Sequence, residues 1–212
     1  MERTEILNFG DQTFVRPNEQ IGREELARLA RSEKIERVER GIYRNPQARV
    51  SEYESLILAS HVIPNGIICL LSALRFHDLT TQEPFEIWMA LKPHAHRPKA
   101  DTVNFRFMHF SGKSFTEGVE EHKIGGERIR VYGVAKTLAD CFKFRNKIGL
   151  DICLEALREA REKKLFTIDE LWRFAKNFLQ LFDFIASKTQ KIHISGGSVI
   201  GFAPDLKKHR SL

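Results

Sequence analysis

Six arginines near the start of the chain have the type and spacing that most clearly predict a binding chemistry. They form two groups of three, the first in a helical segment and the second in the hairpin segment that follows: Arg23, Arg28 and Arg31, then Arg37, Arg40 and Arg44. A guanidinium group binds phosphate through two parallel hydrogen bonds. The spacing predicts contact with duplex nucleic acid, with the first group at the groove or its phosphates and the second at adjacent phosphates.

An amphipathic helix is predicted to carry the first group of arginines. Leu26, Leu29 and Ala30 recur at the spacing of one helix face, and the arginines lie off this apolar stripe. Between Gly22 and Arg49 the chain has 8 Arg or Lys against 5 Glu, a local net charge of +3. A solvated polar surface explains the same composition, so charge alone leaves both interpretations open.

A short hairpin is predicted directly after this helix. Ile35 and Val38 favour a first strand, Arg40-Gly41 is a turn signal, and Ile42-Tyr43 favours a return strand. A cationic helix followed by a cationic hairpin is typical of a winged helix-turn-helix. Residues 1–21 show little helical periodicity, so the leading helices of such a module are predicted to be shortened.

Two other clusters contain residue types found in metal or catalytic sites. His94-Ala-His96 places two imidazoles close together, but no clear third ligand accompanies them and the neighbouring cations oppose a metal ion. Ser72, His77 and Asp78 lie close in sequence without the G-x-S-x-G elbow of a serine hydrolase. The chain also has no glycine-rich phosphate loop. We therefore predict no catalytic residue, no metal and no cofactor.

Two further basic segments are candidates for phosphate contact. Residues 92–113 contain 5 Lys or Arg, 1 Asp and 3 His, and residues 136–147 contain 4 Lys or Arg and 1 Asp. A solvated surface is the commoner outcome for such segments. Lys136 and Asp140 have the spacing of an ordinary helical ion pair, although an inward anchoring role for Asp140 and an active-site role for the pair stay open.

The overall composition predicts a globular chain that does not enter a membrane. Of its 212 residues 42% are hydrophobic, the net charge is +6, and no apolar run is long enough to span a bilayer. The first residues lack the apolar core of a signal peptide, which predicts a cytoplasmic location. Cys69, Cys141 and Cys153 each lie among apolar residues and are odd in number, so we expect buried thiols rather than disulfides.

The pattern of elements predicts an α+β fold in three parts. Residues 1–50 are predicted to form the DNA-binding module, and residues 51–186 are predicted to form an α+β domain. Residues 187–212 are predicted to be a loosely ordered tail that is rich in glycine and in basic residues. Capping boxes at Ser51–Glu54 and Thr167–Glu170 predict helix starts. Strands of a mixed or antiparallel sheet are predicted near 66–70, 85–91, 103–108, 119–124 and 127–132, with three helices after them. Residues 66–70 are alternatively the lead-in to a helix, and the last two strands are predicted to form a hairpin with a turn at Gly125-Gly126.

Three long segments together resemble a known family. They are Ile35–Pro46, which contains R-x-x-R-G-x-Y-R-x-P, Ile68–Gln82, and Ala135–Asp151 with the run AKTLADCFKFRNKIGLD. These segments are similar in kind and order to the AbiEi-family antitoxins of type IV toxin–antitoxin systems. The resemblance covers about residues 22–180.

The resemblance implies a transcriptional regulator without enzymatic activity. Its winged helix would bind the duplex operator of its own operon as a repressor, and its second domain would counter a nucleotidyltransferase-like toxin without necessarily touching it. The candidate antitoxin surface is a basic face carrying four residues: Lys136, Lys143, Arg145 and Lys147. Two alternatives stay open, namely a nucleic-acid-processing enzyme with a nuclease-like second domain, and a protein-interaction module that does not bind DNA.

Overall fold

Two sheets and eight helices make up residues 9–175, the part of the chain that the computed structural model describes. The helices are α1 Arg23–Arg31, α2 Glu54–Val62, α3 Leu70–Phe76, α4 Lys113–Thr116, α5 Val134–Lys143, α6 Arg145–Ile148, α7 Leu150–Glu162 and α8 Ile168–Ala175. The strands are β1 Phe14–Val15, β2 Glu36–Glu39, β3 Ile42–Arg44, β4 Ile67–Ile68, β5 Ile87–Leu91, β6 Phe105–His109, β7 Val119–Ile124 and β8 Glu127–Tyr132. The predicted tail at 187–212 lies outside the described residues.

The larger sheet is mixed and has the strand order β6-β5-β4-β8-β7. Strands β5 and β6 are parallel, as are β4 and β8, whereas β4–β5 and β7–β8 are antiparallel. The hairpin predicted for residues 119–132 is confirmed as β7 and β8. Its turn at Gly125-Gly126 has both φ angles positive, at 55° and 75°. Glycine adopts this left-handed backbone without the clash that a Cβ would bring. The α+β class is confirmed with these elements.

Alternation along the strands divides the core into two layers. Ile68, Met89 and Val131 share one face of the larger sheet, where they pack with α2. The opposite face is covered by α3, which packs in turn against α5, and the buried Ser72 hydroxyl of α3 accepts a hydrogen bond from the Trp88 amide of β5 at 2.9 Å. Covering both faces explains why all five residues of β5 are buried.

The smaller sheet has the order β1-β3-β2, and its strand β1 was not predicted. Val15 and Tyr43 share one face and pack with α1, whereas Phe14 and Ile42 lie on the other face and pack with α2 and the larger sheet. No helix precedes α1 within residues 9–22. The helix α1 is therefore supported by the sheet and not by a preceding helix.

A buried pair of ionisable side chains joins the smaller sheet to the larger one. Glu127 at the start of β8 accepts a hydrogen bond from the Phe14 amide at 2.7 Å through Oε1, while its Oε2 contacts Nε2 of His61. Burial raises the pKa of Glu127 to about 6 and lowers the pKa of His61 to about 4. Burial disfavours the charged form of each group, so His61 is neutral at pH 7, whereas Glu127 becomes neutral only below about pH 6.

Several element boundaries differ from the prediction. The first capping box does not form, because α2 begins at Glu54 and the carboxylate of that residue binds Arg44 instead of reaching back. The second box does form, with Thr167 and Glu170 exchanging hydrogen bonds at 2.7 and 3.2 Å. The buried residues of α7 are Cys153, Ala156 and Ala160.

Within residues 9–175, no helix has both the length and the apolar character needed to cross a membrane.

Candidate nucleic-acid interface

The helix α1 turns its charged side chains away from the smaller sheet. Leu26 and Leu29 are buried against Tyr43, which fixes the orientation of the helix. Glu24 and Glu25 lie in the first turn, and Arg28 and Arg31 lie in the last, so both sets of charges complement the helix dipole. The sequence thus favours this short helix at both ends while leaving the arginines exposed.

The three arginines of α1 are exposed, as predicted, but they are not equally available. Arg28 forms an ion pair with Glu25 at 2.5 Å, and Nε of Arg31 donates to the Ala27 carbonyl at 3.3 Å. Arg23 has no ion pair within residues 9–175. An exposed pair such as Arg28–Glu25 contributes little to stability, yet Glu25 competes with any phosphate for the same guanidinium.

The hairpin of β2 and β3 presents two arginines at its edge and tip. Arg37 is exposed on β2, the edge strand, and its Nε donates to the Glu39 carbonyl at 3.3 Å. Arg40 is exposed in the turn beside Gly41, whose φ of 73° is left-handed. Arg40 makes no ion pair with any described residue, so its guanidinium is presented to solvent at the tip of the hairpin.

Arg44 does not belong to this exposed set, which corrects the prediction. Its side chain lies on the face of β3 that turns toward α2, where Nε and Nη2 donate to the Glu54 carboxylate at 2.7 and 3.2 Å. The hydrogen bond to Glu54 raises the pKa of Arg44. A guanidinium that already binds both oxygens of a carboxylate has its phosphate-binding edge occupied.

Lys136 is absent from the predicted basic surface, which is a second correction. It is only 3% exposed, and its ammonium binds the Asp140 carboxylate one helical turn along α5. The same ammonium lies 4.6 Å from the centre of the Tyr132 ring and 4.9 Å from that of Phe110. Burial raises the pKa of Asp140, and Lys136 opposes this shift. The pair is a buried structural feature.

The other three residues of the predicted antitoxin surface do lie together. Lys143, Arg145 and Lys147 are exposed at the end of α5 and along α6. The ammonium groups of Lys143 and Lys147 lie 5.4 and 5.9 Å from the centre of the Phe144 ring. This basic surface, Lys143–Lys147, is therefore grouped around one aromatic side chain.

The structure separates the residues considered for hydrolytic chemistry. The Ser72 hydroxyl is buried against the Trp88 amide, whereas Nε2 of His77 forms a hydrogen bond with the Tyr132 carbonyl at 2.8 Å. Asp78 instead binds Arg75 at 3.2 Å. These contacts do not connect Ser72, His77 and Asp78 as a nucleophile and its base.

The histidines gain a neighbour that sequence spacing did not indicate. His109 of β6 lines the same open groove as His94 and His96. Nε2 of His109 receives a hydrogen bond from Arg97 at 2.5 Å. Among the described residues no three His, Cys, Asp or Glu side chains are placed to hold a metal ion together.

All three cysteines are buried free thiols, as predicted. Burial raises the pKa of Cys69 and Cys141 well above the ordinary range and that of Cys153 to about 11. Their thiolate forms are therefore scarce near neutral pH.

One functionally placed residue was missed in the sequence. Glu39 is 7% exposed, and its Oε1 accepts hydrogen bonds from the Asp101 amide, the Thr102 amide and the Thr102 hydroxyl, at 2.7, 2.7 and 2.8 Å. These contacts tie the hairpin to the loop between β5 and β6. No local sequence signal marks them, because 62 and 63 residues separate the partners.

Comparison with known proteins adds no relative to this picture. No protein-family model matches the chain, and no curated protein sequence matches it significantly. Five of the six predicted arginines are exposed on one helix and the hairpin that follows it, namely Arg23, Arg28, Arg31, Arg37 and Arg40. Exposed guanidinium groups are the side chains that suit a polyanion.

Proposed function

We propose that this chain is a DNA-binding regulator that represses its own operon, and that it is the antitoxin of a type IV toxin–antitoxin system. The observation that carries the DNA-binding half is the exposed tip of the hairpin, where Arg40 lies without an ion pair in the described part of the chain. Arg37 on the edge strand and the arginines of α1 continue the same cationic interface. The antitoxin half is supported by the resemblance to AbiEi-family antitoxins.

A shortened winged helix-turn-helix is the proposed form of the module. In a winged helix the recognition helix directly precedes a two-stranded wing, and α1 directly precedes β2 and β3. The smaller sheet supplies the support that leading helices give elsewhere, since Leu26 and Leu29 pack on it. An α-helix such as α1 is about 10–12 Å in diameter with its side chains, which matches the width of about 12 Å of the major groove.

The first test measures how salt weakens binding of the full-length chain to DNA. Fluorescence anisotropy with the duplex that lies directly upstream of the coding region is compared for wild type and for Arg37→Gln with Arg40→Gln. Two lost phosphate contacts should reduce the slope of log affinity against log salt by about 2. A charge-matched control is Arg158→Gln with Lys164→Gln, since both residues are exposed beside or within α7. An unchanged slope in the hairpin variant would show that the hairpin does not bind phosphates.

We propose the basic surface Lys143–Lys147 as the region through which the chain counters its toxin. No catalytic residue, metal or cofactor is assigned to it, and the partner is a nucleotidyltransferase-like toxin encoded in the same operon. The Lys136–Asp140 pair gives the alternative of a nuclease-like site little support, because both side chains are buried. In this proposal the protein acts in the cytoplasm, where its DNA lies.

The antitoxin test uses the full chain, because residues 9–50 and the following domain share one core. The toxin is co-expressed with wild type or with Lys143→Glu and Arg145→Glu, and growth is followed. Loss of rescue in a folded variant that still binds DNA supports the proposed surface. If the charge-reversed variant still rescues growth, this surface does not counter the toxin. If rescue changes only when DNA affinity changes, the protection comes from repression of the operon.

A further inference from the structure

The loop that joins β5 to β6, residues 92–104, is a second exposed cationic segment beside the hairpin. It contains Lys92, Arg97 and Lys99 against one acid, Asp101, and all four residues are exposed. Its local net charge is therefore +2 without counting its histidines. The proposed contacts of α1 and of the hairpin make no use of this loop.

Three hydrogen bonds hold the end of this loop against the hairpin. The donors are the Asp101 amide and the amide and hydroxyl of Thr102, and the acceptor is the buried Glu39 carboxylate on edge strand β2. Val38 of the hairpin and Ala95 of the loop pack against the same apolar cluster. The hairpin and the loop thus share one base, and their positions are coupled.

The outer part of the loop is oriented by a histidine of the adjacent strand. Nε2 of His109 accepts a hydrogen bond from Arg97 Nη2 at 2.5 Å, and its Nδ1 lies 3.4 Å from the Lys92 carbonyl, to which it donates. This tautomer is the only neutral one that satisfies both contacts. Arg97 therefore lines an open groove of about 600 Å³ together with the histidine that it contacts.

We propose that loop 92–104 is a second DNA-contacting segment, which extends the phosphate contacts of the hairpin along the duplex backbone. This inference rests on the proposed function, because it adds a region to the same interface. Three features favour a polymer backbone as the partner. The groove lined by Arg97 is open, the cations of the loop outnumber its one acid, and the loop is attached at the edge strand that carries Arg37. Duplex DNA has a negative charge about every 1.7 Å along its axis, so neighbouring cations can bind successive phosphates.

The test compares two charge-matched pairs in the full-length chain with the hairpin variant described above. The loop variant is Arg97→Gln with Lys99→Gln, and the control is Arg158→Gln with Lys164→Gln. Binding is measured across a salt series with the upstream duplex and with a scrambled duplex of equal length. The loop variant should lose about 2 from the salt slope and at least about ten-fold in affinity at 0.1 M salt, equally for both duplexes, because phosphates carry no sequence information.

The possible results separate this inference from the proposed function. If the hairpin variant loses slope and the loop variant matches the control, the loop is not a contact and the regulator proposal stands. If wild type binds neither duplex, both proposals fail. A parallel titration uses single-stranded RNA of equal length. If the loop variant loses affinity only for this RNA, the loop has a different partner and the inference is overturned.

A second measurement locates the loop on the duplex. The three native cysteines are buried, so His96→Cys introduces a thiol that a cleaving iron chelate can modify selectively. Cleavage within a few base pairs of the cuts made from Arg40→Cys would place both segments on one stretch of backbone. Cleavage no stronger than that from Arg158→Cys would overturn the proposal.

Discussion

Arg40 in the hairpin and Lys136 in α5 are both cations that sequence spacing assigned to a binding surface, and the structure uses them in opposite ways. Arg40 is exposed without an ion pair among the described residues, whereas Lys136 is 3% exposed and bound to Asp140. Both segments have a local excess of positive charge. The comparison shows that net charge identifies a candidate surface only when cations paired with buried acids, such as Lys136, are left out of the count.

Breaking the buried pair should have the largest effect. Lys136→Met leaves the Asp140 carboxylate buried without its partner, and we expect a loss of about 3–5 kcal/mol in the free energy of unfolding. Urea denaturation measures this loss. The exposed control Lys147→Met should change stability by no more than about 0.5 kcal/mol.

A double variant decides whether the cost comes from an unpaired charge. Combining Lys136→Met with Asp140→Leu replaces both charges by apolar groups, which is often neutral or stabilising. The double variant should therefore recover most of the stability lost in the single variant. If the two substitutions simply add, the pair is not coupled and the contrast with Arg40 is weakened.

The buried pair His61–Glu127 should produce an intermediate effect that depends on pH. In Glu127→Gln the remaining His61 has a pKa of about 4 when folded, well below its ordinary value of 6.5. The unfolded chain then binds the extra proton between these values, so stability should fall as pH falls from 6.5 to 4, by about 3 kcal/mol.

The partner variant should show the opposite slope. In His61→Gln the pKa of Glu127 is about 6 when folded, above its ordinary value of 4.5. The folded chain now binds the proton more tightly, so stability should fall as pH rises from 4.5 to 6, by about 2 kcal/mol. Thermal unfolding at fixed pH values measures both slopes, and parallel slopes in the two variants would contradict the assignment.

The smallest effect is expected where an exposed arginine is released. Glu25→Gln removes the carboxylate that binds Arg28 at 2.5 Å, and stability should stay almost unchanged because the pair is exposed. DNA affinity should rise by about two- to five-fold, and the salt slope should steepen by no more than about 0.9. An unaltered affinity would place Arg28 outside the interface.

Local patterns predicted most elements but not the contacts that assign roles. The β7–β8 hairpin follows from residues that alternate along its strands, and α1 follows from apolar residues three and four positions apart. The second capping box follows from a signature of four residues. Strand β1 has two residues and pairs with β3, about thirty positions away, so no window of sequence contains its partner.

The site was predicted less well than the fold for the same reason. Whether Arg44 faces a phosphate or Glu54 depends on which face of a three-residue strand meets α2. Whether Lys136 is exposed depends on how Tyr132 and Phe110 enclose it. Glu39 gains its partners from a loop more than sixty residues away. Charge and spacing are local, whereas burial is decided by the whole chain.

The smaller sheet limits how this segment can be recombined with other domains. Phe14 and Ile42 lie on one face of the sheet, and Val15 and Tyr43 lie on the other. A DNA-binding module that has a hydrophobic core of its own can be transferred between unrelated domains by recombination. Residues 9–50 cannot be transferred in this way, because one face of their sheet packs against side chains of the following domain, including Ile57 of α2. A chimaera that keeps this packing must inherit residues 9–50 together with α2 and the start of β8, so the transferable unit is larger than the proposed DNA-binding module.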